Sequence, residues 1–230
     1  MIQVFEDADQ VAAAAADRLI AYAAAAIADQ GRFRQALSGG TTPERLYQRL
    51  AATPWRERVD WERVVVLFAD ERAVAPDDPA SNYHMVKRSL LAALAPHQPA
   101  VIRMRAEFDD LEAAAREYEN ELQVRLDCVV LGVGPDGHIA SLFPRKAAVE
   151  ERARRCVVVL DSPKPPPRRL TVTPGTLEEA RGVLVLATGG EKAQAVARAL
   201  TPGMDPRECP AALVQDREWL VDRPAASGVA

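Results

Sequence analysis

The chain has 230 residues, 48% of them hydrophobic and 27% charged, with a net charge of −4. That composition excludes a disordered or fibrous protein, and the length favours one compact domain, residues 1–230. The 25 arginines are scattered among acids instead of forming a basic block, which argues against nucleic acid as the partner.

In chain order, the first nine residues hold three acids and no basic stretch, and the apolar run that follows is broken by Asp17 and Arg18. Neither a signal peptide nor a membrane span is expected. Short β-branched runs then alternate with longer helical patterns, the signature of an α/β protein with a mainly parallel sheet. Strands are expected at Ile2–Phe5, Phe33–Ser38, Val64–Ala69, Cys128–Val133, Cys156–Leu160, Arg169–Thr173 and Val183–Thr188. Helices are expected at Asp9–Gln30, closed by Gly31, after Thr41-Thr42-Pro43 with a threonine as cap, and at Ser81–Ala95, Asp109–Arg125 and Glu191–Leu200. Four prolines between Ser162 and Pro167 make that segment an extended loop between two strands. The end of the chain, residues 223–230, reads as a flexible tail. Three separated cysteines, Cys128, Cys156 and Cys209, offer no disulfide framework or zinc motif and suit a reducing cytosol.

Ligands of open parallel sheets sit beyond the carboxyl ends of the strands, so the residues that follow each apolar run carry the functional information. Four places stand out. After the second run comes Ser38-Gly39-Gly40-Thr41-Thr42-Pro43, a glycine turn entering a helix, whose free amides suit an anion. It lacks the Gly-Lys-Ser/Thr ending of a nucleotide triphosphatase loop. After the third comes Asp70-Glu71-Arg72, a charge cluster suited to hydroxyls or to a local ion pair. After the fourth comes Gly134-Pro135-Asp136-Gly137-His138, where a carboxylate two residues from one of three histidines can orient a neutral-pH base. The glycines here do not fit a dinucleotide fingerprint. Finally, Arg169 and Lys192, one of four lysines, offer cations to a phosphate.

At these residues the chain resembles the 6-phosphogluconolactonase family, related to glucosamine-6-phosphate deaminases. The likeness lies in Leu37–Pro43, Phe68–Arg72 with Ser81-Asn82-Tyr83, Leu131–Pro144, and Pro166–Thr173 with Thr188–Ala193. It implies a Rossmann-like, three-layer α/β/α fold and hydrolysis of 6-phosphoglucono-1,5-lactone in the oxidative pentose phosphate pathway of the cytoplasm. His138 would be the general base, positioned by Asp136. The substrate phosphate would lie near Ser38, Gly39, Gly40, Thr41, Thr42, Arg169 and Lys192. Asp70, Glu71, Arg72 and Gly134 would line the same pocket. The resemblance implies no metal or cofactor, a small phosphorylated lactone as partner, and a monomer or weak homo-oligomer. The Asn-Glu-Pro segment of the deaminases is replaced by Ser141-Leu142-Phe143-Pro144, which disfavours deamination, and Ile139 stands where lactonases often carry threonine. A deaminase or isomerase remains the alternative, followed by a non-catalytic sugar-phosphate sensor. No helix-turn-helix is evident for the sensor.

Overall fold

A computed structural model of the chain describes residues 1–229. In chain order the elements are β1 (Ile2–Phe5), α1 (Ala8–Gln30), β2 (Phe33–Leu37), α2 (Thr41–Ala51), β3 (Val64–Phe68), β4 (Asp70–Arg72), α3 (Asn82–Ser89), β5 (Ala100–Val101), α4 (Leu111–Glu121), β6 (Cys128–Gly132), β7 (Cys156–Val159), β8 (Arg169–Val172), α5 (Pro174–Glu179), β9 (Gly182–Ala187), α6 (Ala193–Leu200), β10 (Glu218–Asp222) and α7 (Arg223–Ala226). Seven strands form one sheet in the order β1-β10-β9-β6-β2-β3-β5, every pair parallel. Its inner strands β3 and β9 are buried along their whole length, as strands covered on both faces must be.

Helix α1 starts where the Asp7 carboxylate accepts from the Gln10 amide, and ends at Gly31, whose φ of 78° is left-handed. By length and composition it is apolar enough to cross a membrane. In the fold, however, Val11, Ala15, Leu19, Ala23 and Ala26 recur at helical spacing and are buried in the core. On the other side Asp17 and Arg18 meet Arg58 and Glu218, so the helix is a wall of the core.

The chain runs outward from β2 to β3 and β5, then returns to lay β6 on the other side of β2 and proceeds through β9 and β10. The order therefore reverses between β2 and β6, which opens a crevice beyond the carboxyl ends of those two strands.

A second, antiparallel sheet of order β4-β8-β7 stands beyond that end. Ala69 joins the two sheets: its amide donates to Leu37 O and its carbonyl accepts from the Val172 amide, each at 2.8 Å. The expectation of a mainly parallel sheet thus holds for seven strands, while this small sheet is an addition.

The helix expected at Ser81–Ala95 is shorter, Asn82–Ser89, with a separate single turn at Leu91–Leu94. Within the expected tail, Arg223–Ala226 form α7: Asp222 accepts from the Ala225 amide to start it, and Ala225 is fully buried. Position 230 of that expected tail lies outside the described residues.

Candidate active site

The crevice between β2 and β6 is a cavity of about 230 Å³, lined by Ser38 to Pro43, Asp70, Arg72, Gly132 to Pro135, His138, Ala140, Lys164, Arg169 and Lys192. Most of the residues singled out in the sequence are brought together here. Four cations and one acid line this cavity in a chain whose net charge is −4, so the positive field absent from the overall composition is concentrated in one place.

The turn after β2 forms one wall. Gly40 begins α2 with φ 110°, a value that favours glycine, and no side chain caps the helix. The expected threonine cap is therefore corrected: the Thr42 hydroxyl instead shares a 2.8 Å hydrogen bond with Thr188, across to the end of β9. The first turn is thus left without a side-chain cap, and a helix end of this kind favours an anion. The Ser38 backbone is gripped by the Tyr47 hydroxyl, which accepts from its amide and donates to its carbonyl. Its own hydroxyl is buried without a partner. At Gly39 an added Cβ would lie 2.0 Å from Asn82 Oδ1, so any larger residue there must displace the Asn82 amide.

The turn after β6 forms the opposite wall. The Gly134 amide donates to His138 O and the Gly137 amide to Gly134 O, both at 2.9 Å, and Gly137 takes φ 85°. This folds Asp136 onto His138, with Oδ1 at 2.5 Å from Nδ1. A Cβ at Gly134 would lie 1.9 Å from His138 Nδ1, so Gly134 supplies the space in which the ring sits. The imidazole stacks on Phe143, ring centres 4.6 Å apart. Burial opposes ionisation of Asp136, but the hydrogen bond and charge of His138, with the Lys164 ammonium, outweigh it and hold the carboxyl well below the usual carboxylate range. With Nδ1 directed at the carboxylate, Nε2 is the ring nitrogen available for chemistry.

Asp70 is 4% exposed and accepts from Asn82 Nδ2 at 2.9 Å and Ser141 Oγ at 2.7 Å. Arg169 faces it at 3.9 Å and is itself 3% exposed. The Arg169 guanidinium donates to Pro166 O and Lys164 O at 3.0 Å and to Pro165 O at 3.3 Å. Arg169 therefore lines the cavity but spends its donors on the proline-rich loop. Arg72 donates to Ala80 O at 2.6 Å, and its Nε is buried and unpaired. Burial pushes the Lys192 ammonium down from its ordinary value, and the neighbouring Lys164 adds to that.

Glu71 is the exception among the expected pocket residues. It does not line the cavity: its carboxylate accepts from the amides of Arg72, Asn82 and Tyr83 and from the Ser81 hydroxyl. Burial raises its pKa, against those backbone hydrogen bonds. Its role is to hold the start of α3 against β4. Adjacent residues on a strand point to opposite faces, which is why Asp70 and Glu71 part company.

Lys164 was missed in the sequence. It lines the cavity with Nζ 3.3 Å from both Asp136 Oδ1 and His138 Nδ1. The available signal was its rarity, one of four lysines, in a loop just before Arg169.

The family model described as glucosamine-6-phosphate isomerases/6-phosphogluconolactonase matches residues 6–221. The chain belongs to this family. It is 39% identical to the 6-phosphogluconolactonase of Mycobacterium tuberculosis over 98% of this chain and 97% of that one. It is 38% identical to that of Streptomyces coelicolor, over 97% and 92%. Among solved structures, the 6-phosphogluconolactonase of Trypanosoma brucei matches with a TM-score of 0.87 at 27% identity, covering 100% of this chain and 98% of that one. A monomeric glucosamine-6-phosphate deaminase matches with a TM-score of 0.83 at 24% identity, a likeness of fold.

Proposed function

We propose that the chain hydrolyses 6-phosphoglucono-1,5-lactone to 6-phosphogluconate, with His138 as general base. The observation that carries this reading is His138 on the wall of a cavity that four cations line, with the Asp136 carboxylate 2.5 Å from its Nδ1. The substrate phosphate rests at the Ser38–Thr42 turn, where uncapped amides, the unpaired Ser38 hydroxyl and Lys192 meet it. The other cations add field, since most of the Arg169 donors are already engaged.

In the reaction, His138 Nε2 takes a proton from water as the water oxygen attacks the lactone carbonyl carbon. Asp136 keeps the Nδ1 proton in place and stabilises the imidazolium that forms. The carbonyl oxygen gains negative charge inside a positively charged cavity. Collapse of the tetrahedral intermediate breaks the bond to the ring oxygen, and the proton held by His138 passes to that oxygen. The imidazole returns to its starting form and the product is the open hydroxy acid. The enzyme works in the cytosol, which suits its three buried free thiols.

The test follows freshly generated lactone, with spontaneous hydrolysis subtracted, beside glucosamine 6-phosphate. Accelerated ring opening without ammonia release supports the reading. Ammonia release with no effect on the lactone overturns it in favour of a deaminase.

A further inference from the structure

Lys164 lies in the proline-rich connection between β7 and β8, and that connection is fixed from several sides. The Ser162 amide donates to Pro167 O at 3.0 Å, the Ser162 hydroxyl donates to Lys164 O at 2.8 Å, and Arg169 donates to three successive carbonyls, those of Lys164, Pro165 and Pro166. The backbone thus held delivers the Lys164 ammonium to 3.3 Å from Asp136 Oδ1 and 3.3 Å from His138 Nδ1. An ammonium and a ring N–H are both donors. They compete for one carboxylate oxygen, and once the ring is charged they repel.

We propose that Lys164 is a positioning residue for the base, sharing the Asp136 carboxylate with His138 and so keeping the imidazole in the uncharged form that can accept a proton. The inference rests on the reading of His138 as base. A carboxylate bonded to an imidazole favours the imidazolium, which cannot act as a base; Lys164 offsets that bias while the cavity is empty. Substrate brings a phosphate and a developing oxyanion, which neutralise the cation when the imidazolium must form. The repulsion therefore acts mainly on the free protein.

The charged and titratable groups facing His138 are few. Asp136 comes from its own turn, Lys164 from the loop and Lys192 from the entry to α6. Arg169 on β8 meets Phe143, the ring on which His138 stacks. Cys209 packs against Gly137 beneath the turn. Of these side chains, Asp136 and Lys164 touch the imidazole nitrogen directly.

The test is an NMR titration of the His138 ring in ligand-free protein, with the signal identified by its loss in His138→Ala and with His84 and His97 as internal references. Lys164→Met is expected to raise the His138 midpoint by about one pH unit, the low end for a charge at this distance because the lysine is partly exposed. Lys164→Arg keeps the cation and leaves the midpoint in place. In kinetics, the acid limb of kcat/KM moves up in Lys164→Met and that of kcat moves less. A folded Lys164→Met protein whose ring titrates as in wild type overturns the proposal, whatever happens to turnover. Because the titration needs no substrate, it reads the coupling even if the lactone proves not to be turned over.

Discussion

The two turns that face each other across the sheet's reversal point are built in opposite ways. The turn after β2 is made of backbone and is left unsatisfied: α2 has no side-chain cap, and the Ser38 hydroxyl is buried without a partner. The turn after β6 is made of side chains and is complete before any ligand arrives, with Asp136, His138 and Lys164 in mutual contact and the ring stacked on Phe143. Groups that bind wait for the anion that completes them, whereas groups that react are fixed in advance, because a base out of place loses most of its effect. The comparison assigns affinity to one wall and rate to the other.

It breaks most visibly at His138. His138→Ala is expected to lower kcat by about 10²- to 10⁴-fold, the usual contribution of general base catalysis, with KM little changed in steady-state kinetics. Gly134→Ala leaves both side chains present but places a Cβ 1.9 Å from Nδ1, so the ring must move. A displacement on the order of 1 Å costs about 10²-fold in rate, again in kcat, and circular dichroism should show an intact fold.

On the opposite wall the effect is smaller and of another kind. Ser38→Ala removes a donor that has no protein partner. Its loss should raise KM by about tenfold, worth one hydrogen bond to a charged group, with kcat close to wild type. A fall in kcat with unchanged KM would contradict the division of labour.

The smallest effect is on stability. Burial works against the Asp136 charge, but His138 and Lys164 hold its carboxyl below the usual range in the folded chain. A depressed folded value means that the contribution is present above the unfolded value of about 3.9 and is lost as pH falls below it. Thermal melts of wild type and Asp136→Asn should therefore differ at neutral pH and converge in acid.

The same contrast explains what could be read from the sequence. Inner parallel strands such as Val64–Phe68 and Cys128–Gly132 are buried apolar runs that hydrophobicity alone marks, whereas the two-residue β5 and the mixed run Glu218–Asp222 of β10 were not expected. The glycine turns and the Asp136–His138 pair lie just past such runs, where strand-end logic finds them. In the small sheet two strands were expected, at Cys156–Leu160 and Arg169–Thr173, but the third was illegible because Asp70-Glu71-Arg72 has the composition of a solvated loop, and only pairing with Arg169-Leu170-Thr171 makes it a strand. From that gap follow the misplacement of Glu71 in the pocket and the oversight of Lys164, whose approach depends on carbonyls that Arg169 gathers from β8. The threonine cap failed for a related reason, since the Thr42 hydroxyl is claimed by Thr188, 146 residues away.

The most direct test of the account measures, on one preparation of folded His138→Ala protein, the opening of fresh 6-phosphoglucono-1,5-lactone and the binding of 6-phosphogluconate by calorimetry. The account predicts that acceleration over the spontaneous rate falls by at least about 100-fold while product affinity stays at the wild-type level. Turnover at the wild-type rate, or loss of binding together with loss of rate, would contradict it.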